Sequence, residues 1–313
     1  MAVSVNIHHR QGMRWLSSLL IPAVAAATLS NIRCMNFYGL ETEREGLVCD
    51  WRHDPEFYLK KLISEVSLNT VRVPFSYQLI HNNHLTKLDK FMELCSQLGL
   101  SVILDYHRTW NTHQGPTPEE GITLQEFVST WKFVLRRYHH LPALMGVGIF
   151  NEIQLGDFIY TNQLHNDVIR ALEKEFPNRF YYFAGCPQWG GNCSDMDLVD
   201  LPVWNRTLLD VHKYIFSGAS NPADWDISIP AKISSDHWFI GETGWKQEDP
   251  NQVKWAEGFI QYLRHRGINN VCAWTIAHSW DTGGWFLDDC ETFNYDKAKL
   301  LKKVWEQPRL RAG

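Results

Sequence analysis

The sequence predicts a single-domain (β/α)8 barrel. Three observations carry that prediction. Eight short runs of β-forming residues alternate with helix-patterned segments, polar side chains follow one run after another at its C-terminal end, and no Gly-rich fingerprint follows the first run. Eight alternations fit a closed parallel barrel better than an open doubly wound sheet. The missing fingerprint counts against a dinucleotide-binding fold. A chain of 313 residues is long for one domain, but barrels of this class run to about 250 residues or more as one unit.

The elements follow in order. Ile32–Tyr38 reads as the first strand, closed by Gly39. Asp54 and Pro55 open a helix, the acid placed to cap it and the proline at its first turn, with Leu59, Leu62, Ile63 and Val66 at helical spacing. Asn69–Pro74 is the second strand, with Pro74 expected only where a strand ends. A helix from Lys87 to Leu98 stops at Gly99, a left-handed C-terminal glycine. Ser101–Tyr106 is the third strand and runs into His107 and Arg108. Thr123 begins an amphipathic helix to Tyr138, with Glu126 completing a capping box. The fourth strand lies in Gly146–Phe150 and delivers Asn151 and Glu152. A helix over Asn162–Glu175 precedes the fifth strand, Tyr181–Ala184. The sixth, Leu208–Val211, ends in His212 and Tyr214, and Pro187–Asp236 otherwise reads mostly as loop. The seventh, Trp238–Gly241, ends in Glu242. A helix over Gln252–Arg266 and Gly267 lead to the eighth, Val271–Thr275, and a helix over Lys297–Trp305 closes the circuit.

Composition narrows the function. Hydrophobic residues make up 44% and charged residues 21%, enough for a large core. A formal net charge of −5 gives no basic surface for nucleic acid. Tryptophan numbers 14, roughly three times the average-composition expectation; such a surplus in loops fits a cleft that stacks on the apolar faces of sugars. Trp51, Trp110, Trp189, Trp245, Trp280 and Trp285 fall in expected loops beyond strand ends, whereas Trp131, Trp238 and Trp255 fit core positions. The 7 cysteines match no metal pattern, and their odd number leaves at least one unpaired. Cys95 and Cys272 read as small core residues; Cys34 with Cys49, or Cys186 with Cys193, are the candidate bridges in an oxidising compartment. Residues 1–30 carry Arg10 and Arg14, then an uncharged stretch from Trp15 to Leu29 with an alanine run. That pattern predicts a secretory leader rather than a membrane span. Residues 31–313 then form the catalytic domain of an extracellular, monomeric protein. Asn192 and Asn205 each open a glycosylation triplet.

Arg72, His107, Asn151, Glu152, His212, Tyr214, Glu242 and Trp274 share one address, because residues at the C-terminal strand ends of a barrel converge on one pocket. No His-x-Glu or His-x-x-x-His pair accompanies His107 and His212, so no metal is expected. No Gly-x-Ser-x-Gly elbow supports a serine nucleophile, and no cofactor is implied. Glu152 and Glu242 remain, and paired carboxylates suit acetal hydrolysis: one holds a proton for the leaving oxygen while the other stays ionised. A guanidinium beside Glu242 would favour the ionised form there.

At these residues the chain resembles glycoside hydrolase family 5. The matching motifs are Arg72 in Val-Arg-Val-Pro, His107 in Leu-Asp-Tyr-His-Arg, Asn151-Glu152, His212-Lys-Tyr214, Glu242 in Ile-Gly-Glu-Thr-Gly and Trp274 in Ala-Trp-Thr. The resemblance implies Glu152 as acid/base and Glu242 as nucleophile of a retaining double displacement. Asn151, His107 and His212 would bind the sugar under attack, Arg72 and Tyr214 would hold the nucleophile, and Trp274 would be the sugar's platform. The stretch from Trp274 to Asp289, with its Asp-Thr-Gly-Gly segment, and Trp189-Gly-Gly-Asn192 are similar to members that cut β-1,4-glucan. An endo-β-1,4-glucanase acting on a β-linked polysaccharide is therefore expected. A β-mannanase or an exo-acting glucosidase or glycolipid hydrolase of the same family is the alternative, and a non-catalytic carbohydrate-binding barrel a remote one.

Overall fold

A computed structural model describes residues 29, 31–113, 115, 117–196, 203–217, 221–277 and 282–306. Along the chain lie β1 (Arg33–Asn36), α1 (Pro55–Val66), β2 (Thr70–Ser76), α2 (Tyr77–His81), α3 (Thr86–Gln97), β3 (Ser101–Arg108), α4 (Leu124–Tyr138) and β4 (Leu144–Gly148). They are followed by α5 (Phe158–Glu173), β5 (Tyr181–Gly185), β6 (Thr207–Lys213), α6 (Pro222–Ser228), β7 (Trp238–Thr243), α7 (Pro250–Arg266), β8 (Val271–Ala273) and α8 (Tyr295–Trp305). Neighbouring strands pair in parallel and β8 returns to β1, closing the barrel. The (β/α)8 architecture read from the alternation is the fold observed.

The helix boundaries follow local chemistry. Asp54 accepts from the Phe57 N–H at 3.1 Å and Pro55 occupies the first turn of α1. Thr123 and Glu126 form the reciprocal capping box of α4. Gly99 sits at φ +69°, the left-handed conformation that ends α3. Two helices escaped the sequence reading, α2 and α6; both are too short to display a hydrophobic period. Pro74 lies inside β2, paired with Asp105, rather than at its end. The reason is the short first strand. Arg72 presents its carbonyl to Phe37 on the β1 side, so Pro74, two residues on, faces the same way, past the point where β1 has ended. No ladder bond is lost.

Side chains inside the barrel stack by the period of two. Ile103, Asp105 and His107 rise along β3, and Leu208, Asp210 and His212 along β6. The floor is apolar, with Phe183 against Phe239 at 4.7 Å between ring centres and Ile32, Tyr181 and Leu208 around them. Above it the lining turns polar and charged. A second, larger apolar layer fills the space between strands and helices, containing Trp131, Trp238 and Trp255 as the sequence suggested.

Three disulfides are present: Cys34–Cys272, Cys49–Cys290 and Cys186–Cys193, with Cys95 buried and free. The last pair and the free thiol match expectation. Cys34 does not pair with Cys49, and Cys272 is not a free core residue. Cys34 and Cys272 face each other across the β1–β8 seam, a proximity that only barrel closure creates. No helix among the described residues is long and apolar enough to cross a membrane. Residues 1–28, which carry most of the expected leader, lie outside the described residues.

Candidate active site

The polar end of the barrel is organised around Arg72, fully buried on β2. Its Nη1 donates to Glu242 Oε1 at 2.7 Å and to Asn36 Oδ1 at 2.9 Å, and its Nη2 donates to Asn151 Oδ1 at 2.7 Å. Asp105 lies 3.0 Å and Asp210 3.8 Å from the same guanidinium. Burial works against the charge, but Asp105, Glu242 and Asp210 more than offset it, and the Arg72 pKa is raised. Burial in turn pushes the Asp105 carboxyl up to about 7, despite Arg72 beside it.

Glu242 owes its inward aim to a defect in the sheet. Val211 pairs with Ile240 and His212 with Glu242, so β7 carries one extra residue, Gly241. Phe239 points into the barrel, and regular alternation would send Glu242 outward to the helices. The irregularity turns it back, as bulges beside active sites do. Gly241 also leaves room for Asp210: a Cβ there would meet Asp210 Oδ1 at 1.9 Å. The second oxygen of Glu242 accepts from the Tyr214 hydroxyl at 2.8 Å.

Glu152 arrives differently. The fourth strand was expected to run up to Asn151, but β4 stops at Gly148. The Asn151 N–H donates to the Tyr106 carbonyl at 2.9 Å, tying the segment to β3, and Glu152 itself sits at φ +44°. A non-glycine residue in that region is held there by its surroundings. Its Oε1 lies 3.0 Å from His212 Nδ1, which is also 3.6 Å from Glu242 Oε2. One oxygen of each glutamate and a His212 nitrogen lie within 4.8 Å of one another. Burial opposes the imidazolium, but Glu242, Asp210 and Glu152 raise the His212 pKa to about 10. His107 moves the other way: burial holds its pKa well below the usual value. The neutral ring donates from Nδ1 to Asp105 at 2.7 Å and accepts at Nε2 from the Asn151 amide at 3.3 Å. Arg72 fixes that amide's orientation from its oxygen side.

The Trp274 ring packs near-parallel to His107, with ring centres 5.6 Å apart and planes at 14°, and to Tyr38, at 5.5 Å and 29°. Eight predicted residues, Arg72, His107, Asn151, Glu152, His212, Tyr214, Glu242 and Trp274, are thus brought to one end of the barrel. Trp189 is 52% exposed and lines a cavity of about 810 Å³ that begins at Glu152. Other aromatic candidates fall elsewhere. Trp245 and Trp285 are buried; the Trp245 N–H donates to Gln247, and Lys297 lies over its ring. Trp110 is half-buried in the loop before α4, packs edge-on to Tyr77 and donates to the Glu120 carbonyl. All three lie in loops, as the sequence suggests, but these loops fold back on the barrel and use the indoles as packing. Trp51 is exposed on the loop before α1, and Trp280 lies outside the described residues.

The sequence reading missed Asn36, Tyr38, Asp105 and Asp210. Asp105 and Asp210 stand two residues before His107 and His212, on the same face of their strands, so the period of two contained the signal.

The chain matches the family described as cellulase, glycosyl hydrolase family 5, over residues 29–279. It is similar to an endoglucanase of Paenibacillus polymyxa, 25% identical over 86% of this chain and 81% of the relative. It is also similar to the major extracellular endoglucanase of Xanthomonas campestris pv. campestris, 23% identical over 88% of this chain and 67% of the relative. The solved catalytic domain of the major Xanthomonas endoglucanase superposes with a TM-score of 0.76 at 22% identity, covering 90% of this chain and 96% of that one. A cellotetraose complex of an endocellulase from Pyrococcus horikoshii superposes with a TM-score of 0.72 at 21% identity, covering 87% and 92%. With the family matched over most of its length, this chain belongs to the cellulases of glycosyl hydrolase family 5.

Proposed function

We propose that the protein is a retaining endo-β-1,4-glucanase with Glu242 as nucleophile and Glu152 as acid/base. The carrying observation is the proximity of the two carboxylates, with oxygens within 4.8 Å. Retaining glycosidases hold their carboxyl groups about 5–5.5 Å apart, whereas inverting ones leave about 6.5–9.5 Å for a water. The surroundings divide the labour. Arg72 and Tyr214 each hold one oxygen of Glu242, which aims it at a fixed point. Glu152 stands at the edge of the open cavity, where a leaving group departs.

In the first step a Glu242 oxygen bonds to the anomeric carbon while Glu152 gives its proton to the departing glycosidic oxygen. In the second, Glu152 takes a proton from water, the water oxygen bonds to the anomeric carbon, and the ester to Glu242 breaks. Asn151, held by Arg72 and His107, is placed to bind the hydroxyl next to the anomeric carbon, and Trp274 to carry the sugar's apolar face.

The similarity to enzymes named endoglucanase and endocellulase supports β-1,4-glucan as the substrate. The open cavity with Trp189 exposed on its wall supports action within a chain. Three disulfides fit an oxidising compartment, which supports placing the protein outside the cell; a monomer, with residues 1–30 as its leader, is part of the same proposal. Reducing-end release from carboxymethylcellulose, mannan and xyloglucan tests the assignment. Activity is expected on carboxymethylcellulose, with the β-anomer formed first by NMR and a loss of at least about 10³-fold in Glu242→Gln. An α-anomer product would refute the retaining mechanism, and a preference for mannan would refute the substrate.

A further inference from the structure

The cavity of about 810 Å³ is lined by Glu152, His212 and Tyr214 together with Trp189, Lys213 and Asp224. Trp274, His107, Asn151 and Glu242 do not line it. On the proposed mechanism, the sugar under attack lies among those four residues. The oxygen that Glu152 protonates therefore points away from them, and the sugar attached to it enters the cavity. This is the leaving-group side. Its rim carries two exposed rings, Trp189 and Phe216, the latter stacked on Tyr214 at 4.8 Å.

Lys213 is the unusual residue of this wall. It stands on β6 between His212 and Tyr214, is only 1% exposed, and lines the cavity. Its ammonium donates to the Gly191 carbonyl. Among the described residues no carboxylate forms an ion pair with it, although Asp224, on α6, acts on it from the same cavity. An ammonium has three protons to donate, and a buried cation with one acceptor is costly. Among the described residues Gly191 is its one acceptor, so two donors are left for a ligand. The ligand's chemistry follows from the other groups present. Carboxylates of Glu152 and Asp224 line the same cavity, which disfavours an anion. A neutral hydroxyl-rich chain can accept from Lys213 and donate to Asp224.

We propose that Lys213 is a specificity-determining residue that hydrogen-bonds hydroxyls of the neutral glucan chain leaving from Glu152. This rests on the hydrolase reading above and adds to it which residue selects the leaving chain. Burial lowers the ammonium's pKa to about 8, opposed by Asp224, so it is charged at neutral pH.

The test compares kcat/KM for cellopentaose with kcat/KM for an aryl β-cellobioside, whose leaving group has no hydroxyls to bind. In Lys213→Met the cellopentaose-to-aryl ratio is expected to fall about tenfold or more, the scale of losing charge-assisted hydrogen bonds. The wild type supplies a second reading that needs no variant to fold. The glycosyl-enzyme made from the aryl cellobioside partitions between added cellobiose and water, both activated by Glu152. The share going to cellobiose should fall between pH 6.5 and 9.5 as the ammonium loses its proton. A ratio that moves less than twofold in the folded variant, or a partition that is flat with pH in the wild type, would overturn the assignment alone. A wild type inert on both substrates would overturn the hydrolase reading and this assignment with it.

Discussion

Arg72 holds three carboxylates together in a buried space. Removing one partner from such a set leaves uncompensated buried charge, so Arg72→Met is expected to cost about 3–5 kcal/mol in urea unfolding, beyond any loss of activity. Glu41 offers a cleaner titration because it lies outside the carboxylate pair. Burial raises its pKa from 4.5 to about 7, while its own N–H and that of Gly39 pull the other way. A folded-state pKa above the unfolded value means stability that is full below about pH 4.5 and declines as pH rises to about 7. Glu41→Gln removes that decline. Its unfolding free energy should match or trail wild type at pH 4 and gain on it steadily to pH 7, by up to about 3 kcal/mol, then level off. A difference that does not change with pH would contradict the burial argument.

Among the elements, β4 shows how small residues set the interior. Gly146 faces inward, and a Cβ there would come within 2.4 Å of the Phe183 ring. Gly146→Ala should therefore overpack the floor and cost about 1–3 kcal/mol by denaturant titration. Gly241 does similar service on β7, where it both makes space for Asp210 and supplies the extra residue that turns Glu242 inward. The helix boundaries were legible because caps are local: Asp54, Thr123 with Glu126, and Gly99 act within one turn. The bulge was not legible, since it exists only in the pairing of β6 with β7.

Across the whole molecule, two disulfides tie the chain's beginning to its end, with sequence separations of 238 and 241, while Cys186–Cys193 spans 7. Loop entropy grows with the logarithm of length. Because Cys34–Cys272 already joins the same two regions, Cys49–Cys290 closes a path of only about 33 residues. Replacing Cys49 and Cys290 by serine should therefore destabilise the protein more than replacing Cys186 and Cys193, by about 1.4 kcal/mol on the chain-entropy account. Calorimetry of the two double variants would decide; equal losses would argue against that account.

The sequence by itself determined the alternation of strands and helices, hence the barrel, and with it the common address of Arg72, His107, Asn151, Glu152, His212, Tyr214, Glu242 and Trp274. Those are consequences of local periodicity and of one topological rule, that strand ends of a barrel converge. Tertiary structure alone decided which cysteines meet across the β1–β8 seam and which indoles fold back as packing. It also decided that Asp105 and Asp210 join Arg72, and that Glu242 faces inward at all. Each of these depends on which strand lies beside which and in what register, and a pairing between residues far apart in the chain leaves no period in either segment to be read.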